Sequence, residues 1–317
     1  MIVLGRGGLS IELCEPRSYY RGTRFDACGV FRRIVKDGYI YADRWFDGED
    51  AFRHDNVCGP SEEFFGVFGY DEAPVGGTFL KIGVGLLRKD AEKPYDWFHL
   101  YEIVDGGRFS LRIGTDTGCN EDHAPATWAE YSHVLEGCYS YVKRIEVISD
   151  DSFEISHRLE LAESFPFRSV GNGGKQVSIL QYCHNFFTFN GTHVGPSRRM
   201  DFPVPPRGEW RADSVHGYLE GNSLLFDAPL QPGEMSYIGN LQLLPAPGNF
   251  SLVLSEGGSG RDTTVPEAGR KVTIVSDRPL DHMVMWACPR VACPEPYLRF
   301  GLDPGESASW KNTYILH

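Results

Sequence analysis

The sequence predicts an all-β protein built from two large antiparallel sheets, and three observations carry that reading. The 36 glycines, 20 prolines and the aromatic residues, 13% of 317, are spread along the chain without forming tracts, as many short strands joined by turns require. Runs with strand periodicity recur from the N-terminus to the last residues. No amphipathic helix longer than two turns, no linker and no repeat at 20–50-residue spacing interrupts them. The economical organisation is one domain spanning residues 1–317.

The first strand signal is Leu-Ser-Ile-Glu-Leu at 9–13. The following stretch, 19–31, is too polar for a plain core strand. Arg24 and Asp26 share parity within it, so on a strand they face the same way, ready to pair with each other or to hydrogen-bond a polyol. Residues 36–56, with Asp-Gly at 37–38 and 47–48, predict a hairpin and a surface loop carrying Trp45. Next, Glu62 and Glu63 stand beside Phe64 and Phe65, and Lys81 stands among glycines at 76–85. Both segments suit close approach to a ligand, and plain surface charge is the alternative for the glutamates. Gly83-Val84-Gly85 is no phosphate loop, because neither a helix pattern nor Gly-Lys-Ser/Thr follows.

From 98 to 161 the signal is repetitive strand. Over 153–161, Phe153, Ile155, His157, Leu159 and Leu161 alternate with polar residues, which predicts a half-exposed antiparallel strand with a structural His157. A glycine-rich turn at 168–176 leads into Val177, Ile179 and Leu180 and then Gln-Tyr-Cys-His-Asn-Phe-Phe at 181–187, a run long enough for one buried strand. His184 there is dry and aromatic-walled, so its protonation can be tuned for acid/base work; a satisfied core histidine is the other reading. The Pro-, Arg- and Gly-rich stretch 191–212 predicts a long irregular excursion of the kind that walls a binding site. Short strands follow at 223–227, 235–244, 250–254, 271–275 and 283–287, punctuated by Pro-Gly at 232, 247 and 304 and Gly-Gly at 257, with a closing strand at 310–316. After the apolar strand at 283–287 comes Glu295 between Pro294 and Pro296, whose fixed backbones hold the carboxylate in place.

Charge and cysteine usage narrow the partners. A formal net charge of −12 without a Lys/Arg run argues against nucleic acid and anionic membranes, and favours a neutral or weakly charged small molecule. No apolar stretch is long enough to span a bilayer and the N-terminus lacks a signal-peptide pattern, so a cytoplasmic protein is expected. Eight scattered cysteines without C-x-x-C predict free thiols; the spacing of Cys288 and Cys293 argues against zinc, and no acidic spacing argues for calcium or magnesium. Monomer and homodimer both remain open.

Three motifs give the chain a resemblance. Tyr182-Cys-His-Asn-Phe-Phe, the later Cys293-Pro-Glu-Pro and the terminal Leu302-Asp-Pro-Gly-Glu together resemble the galactose mutarotase-like superfamily, which includes the aldose 1-epimerases. The resemblance extends over most of the chain as an order of β segments. It implies a large twisted antiparallel β-sandwich with its site on a concave sheet face. It further implies a cofactor-independent isomerase in which His184 gives a proton to the ring oxygen of a sugar and Glu295 takes one from the anomeric hydroxyl. Arg24, Asp26, Glu62, Glu63, Lys81, Tyr182 and Asn185 are the candidate substrate-binding residues, and a small carbohydrate is the partner. Two departures stand out: the upstream His-Gly of familiar epimerases has no counterpart, and Gly22-Thr-Arg-Phe-Asp differs from their Asn-Arg loop. The alternatives are elimination or hydrolysis of a modified sugar or uronate at the same pair, or a carbohydrate-binding module without catalysis.

Overall fold

The alternating run at 153–161 is strand β12 (Ser152–Leu161), with Phe153, Ile155 and Leu159 completely buried. The computed structural model describes residues 1–115, 125–167, 176–243, 248–257 and 269–317. Cys119 and Pro247 lie outside these residues, as do almost all of the turn read at 168–176 and the second glycine of the 257 pair.

In the ten-stranded sheet that contains β12, the order is β16 (Gly217–Glu220), β17 (Ser223–Phe226), β14 (Arg198–Asp201), β19 (Phe250–Glu256), β20 (Arg270–Ser276), β23 (Ser307–Leu316), β12, β11 (Tyr139–Ser149), β10 (Trp128–Leu135) and β9 (Arg108–Gly114). The facing sheet has six strands, in the order β15 (Pro206–Trp210), β18 (Ser236–Leu243), β21 (His282–Cys288), β22 (Val291–Leu302), β13 (Val177–Phe186) and β5 (Gly59–Phe65). Four N-terminal strands, β1 (Ile2–Arg6), β2 (Leu9–Leu13), β3 (Phe31–Lys36) and β4 (Tyr39–Ala42), form a third sheet, and β6 (Thr78–Lys81), β7 (Gly85–Arg88) and β8 (Ile103–Asp105) form a fourth. Adjacent strands run antiparallel, and no α-helix occurs among the described residues. The predicted all-β sandwich is therefore the fold.

The core lies between the two large sheets. Phe64 of β5 meets Tyr141 of β11 and Trp310 of β23 edge-on, with ring centroids 5.2 and 6.2 Å apart, and Phe300 of β22 packs on Trp310. Burying side chains of this size is worth about 1.5–3 kcal/mol each. Alternation is regular on β10 and β11, whose outer faces are wet, but β5, β13 and β22 are buried on both faces over most of their length. One face of those three strands meets the core, and the other is roofed by loops that enclose a cavity.

Three local expectations change. Instead of an irregular excursion, 191–212 contains β14 and β15; Pro206 is accommodated because it opens a strand at the edge of its sheet. Asp37-Gly38 does turn the β3–β4 hairpin, with φ of 50° and 78°. However, Trp45 beyond it is only 9% exposed, stacked on Phe186 at 5.3 Å. Gly83 serves close packing against the protein and not against a ligand: at φ +79° its added Cβ would fall 2.5 Å from Asp26 Cβ. The seven described cysteines are all free.

Candidate functional site

The site face of the six-stranded sheet follows from strand parity. Tyr182, His184 and Phe186 of β13 point the same way, as do Glu295 and Tyr297 of β22 and His282, Val284 and Trp286 of β21; all of them line one cavity of about 560 Å³. Pro294 and Pro296 shape its centre. The β13–β22 ladder runs from Val177↔Leu302 to Tyr182↔Tyr297 and resumes only as a bridge at Phe187↔Ala292. Proline has no N–H to give, so the ladder opens where the two prolines stand. The unchanged register on both sides of the break puts His184 opposite Glu295 and Asn185 opposite Pro294. Asn185 closes part of the break with its side chain, donating from Nδ2 to the Pro294 carbonyl at 2.9 Å while its Oδ1 accepts from Tyr314 at 3.0 Å.

His184 Nε2 lies 3.3 Å from Glu295 Oε1, and both side chains are almost wholly buried. Phe186 stacks flat on the His184 ring at 3.9 Å, with Phe25 and Trp286 edge-on. This aromatic housing has opposite effects on the two acids. Burial, reinforced by the Arg24 charge, holds His184 well below its usual value, while burial pushes Glu295 up to about 8 against the opposing pull of Arg24. Near neutrality the pair therefore holds one proton, resting on Glu295. His184 Nδ1 is buried without a partner, so no hydrogen bond fixes which ring nitrogen carries the imidazole hydrogen.

Of the seven candidate binding residues, Arg24 and Tyr182 line the cavity. Glu63 stands behind them: it accepts from Arg24 Nε at 3.0 Å, from the Tyr182 hydroxyl, and from Lys81 Nζ at 2.6 Å. Lys81, completely buried, also donates to Tyr95 and sits behind Glu63, away from the cavity lining. Asp26, Glu62 and Asn185 occupy the core side. Glu62 is one residue from Glu63 and so faces the other way, where Lys143 and His157 reach it from β11 and β12; Asp26 joins the same cluster 3.4 Å from Lys143. Adjacent glutamates on one strand are thus divided between site and core. Arg24 and Asp26 do not pair with each other, because 19–31 is not a regular strand and parity does not govern it.

Several cavity residues carried no clear signal in the sequence. Tyr297 was legible in principle, being two residues beyond Glu295 on one strand. Trp97 and Phe98, in the loop between β7 and β8, form an adjacent exposed aromatic pair. His54, Arg211, Tyr237 and His282 reach the cavity only through the fold. Among the described residues, no three His, Cys, Asp or Glu side chains are grouped to hold a metal ion.

No family model matches the chain, and no curated protein matches it. Solved structures do. A provisionally assigned aldose 1-epimerase from Escherichia coli K12 aligns with a TM-score of 0.54 at 10% identity, covering 100% of this chain and 98% of that one. The GalM/aldose epimerase homologue from C. elegans aligns with a TM-score of 0.51 at 11% identity, over 100% and 98%. At these identities the likeness establishes a galactose mutarotase-like fold.

Proposed function

We propose that the chain is a cofactor-independent carbohydrate epimerase that interconverts the anomers of a neutral aldose, with His184 and Glu295 as its acid/base pair. The observation that carries this reading is the 3.3 Å approach of the two groups at the bottom of an aromatic cavity. The ring oxygen and the anomeric hydroxyl of an aldopyranose are bonded to the same carbon, so two adjacent groups serve both.

The proton count balances. Transfer of the shared proton from Glu295 to His184 gives an imidazolium beside a carboxylate. His184 then protonates the ring oxygen as the C1–O5 bond breaks, and Glu295 takes the anomeric proton as the C1 carbonyl forms. Rotation about C1–C2 followed by the reverse transfers closes the ring as the other anomer, and the pair again holds one proton. Arg24 stands beside the pair with Nη1 left to donate to a sugar hydroxyl, while Tyr182, whose O–H is given to Glu63, offers its oxygen as an acceptor; Glu63 orients both.

Neutral sugars are favoured over uronates because the two cavity arginines already have acidic partners, Arg24 in Glu63 and Arg211 in Asp213 at 2.6 Å. That count weakens elimination chemistry, which needs a cation for the substrate carboxylate. Anomer exchange measured by proton NMR saturation transfer over neutral, amino, acidic and phosphorylated aldoses tests the proposal. Acceleration by the native protein that is lost in His184→Ala and Glu295→Gln supports it. Sugar binding without acceleration would reduce the protein to a binding module.

A further inference from the structure

The cavity is larger than one sugar. An aldopyranose has twelve non-hydrogen atoms and fills roughly 200 Å³ at the packing density of condensed organic matter, against about 560 Å³ here. If the epimerase reading places the first ring against His184 and Glu295, most of the remaining space lies toward the next row of the sheet.

That row carries polar groups waiting for partners. Tyr182, Tyr297 and His282 stand side by side on three neighbouring strands, their rings nearly parallel and 4.4 and 4.3 Å apart. Tyr297 is only 7% exposed, yet among the described residues its hydroxyl has no hydrogen-bond partner. That hydroxyl is not one of the enclosed unpaired polar atoms, so it opens onto the cavity, where a ligand hydroxyl can take the place of water. His282 Nδ1 donates to Asp281 Oδ2 at 2.8 Å, and Asp281 is itself held by Arg299 at 2.8 Å. The imidazole is thereby oriented with Nε2 left for a ligand. Val284 is the cross-strand partner of Glu295 and His282 that of Tyr297, so His282 is the diagonal neighbour of Glu295, about 7–8 Å away. That distance reaches the far edge of a first ring and its linkage to a second.

The same end has a stacking surface at its mouth. Trp97 packs against Phe65 at 5.4 Å, Phe65 against Tyr297 at 5.9 Å, and Trp97 still leaves 39% of its surface in solvent. An indole held from beneath and bare above matches the apolar face of a pyranose. We propose that Tyr297, His282 and Trp97 form a subsite for a second sugar unit, so that the preferred ligand is the reducing end of a neutral di- or oligosaccharide.

Isothermal titration of glucose, galactose, cellobiose, maltose and lactose into the full chain tests this, with anomer exchange followed in parallel. The expected result is at least one disaccharide bound ten-fold or more tightly than the monosaccharide at its reducing end. Trp97→Ala, His282→Ala and the nearly isosteric Tyr297→Phe should each reduce that ratio by three-fold or more while leaving monosaccharide affinity within two-fold. Equal affinity for both sugar lengths, no binding of any sugar, or parallel losses for both lengths in the variants would overturn the subsite. A ratio that persists without anomer exchange would keep the subsite and remove the epimerase reading.

Discussion

His184 and Glu295 are cross-strand partners at a break in the ladder that joins β13 to β22, 3.3 Å apart where Pro294 and Pro296 withhold their N–H groups. The break lets the two polar ends approach without competing backbone bonds. In the proposed mechanism one proton serves both groups, which makes them a single unit. His184→Ala and Glu295→Gln are each expected to slow anomer exchange by about 10²–10⁴-fold, and the double variant to be little slower than either single one. Multiplying losses in single-turnover exchange would show that the two act independently.

The pair also sets a pH dependence. Burial raises Glu295 from 4.5 to about 8, so between these values the native state keeps a proton that the unfolded chain has released. Its contribution to stability therefore falls as pH rises through that interval. Glu295→Gln, which cannot ionise, should match the native protein near pH 4.5 and exceed it by about 2–4 kcal/mol at pH 8.5, read from urea midpoints. Exchange should decline above about pH 8, where the pair loses its proton. A stability difference constant from pH 5 to 9 would contradict the assignment.

Asn185 makes a separate contribution. It faces the core, donates to the Cys183 and Pro294 carbonyls at 3.0 and 2.9 Å, and accepts from Tyr314. Asn185→Leu keeps the branched outline of the side chain and removes these bonds, of which the one to Pro294 crosses the break. The expected outcome is a stability loss of about 2–4 kcal/mol with a ten-fold or greater fall in exchange rate and little change in sugar affinity. An unchanged rate in the folded variant would show that the break holds its shape without Asn185.

How much of this was legible in the sequence depends on whether a residue's signal is local. The alternation at 153–161 fixed β12 because periodicity two is a property of neighbours. His184 and Glu295 could be singled out because each lies in a short, unusual stretch, and the fold brings both to one cavity. Glu62 and Asp26 were not placed correctly by composition alone: a carboxylate beside aromatics looks the same whether it faces a cavity or the opposite sheet, and only strand parity relative to the core separates Glu62 from Glu63. His282 and Tyr237 come from strands distant in sequence, and their convergence is a product of sheet order.

The core-side cluster yields the last prediction. Glu62 is completely buried, and although burial alone would raise its pKa, His157 and Lys143 bring it down to about 2. Asp26, 3.4 Å from Lys143, is pushed up to about 6 by burial against the pull of Lys143, so near neutrality it shares the ammonium with Glu62. Glu62→Gln takes away one of the two carboxylates that hold the ammonium, together with the charged partner of His157, and should cost about 3–5 kcal/mol. Lys143→Met removes the cation but leaves Glu62 facing Asp26, with a similar loss. The double variant Glu62→Gln/Lys143→Met should be more stable than the sum of the single losses by about 1–3 kcal/mol, measured by urea unfolding. Glu63→Gln acts on the other face, releasing Arg24 and Tyr182, and should weaken sugar binding as well as stability. If Glu62→Gln instead weakened sugar affinity in the folded protein, the division of the two glutamates between core and cavity would be wrong.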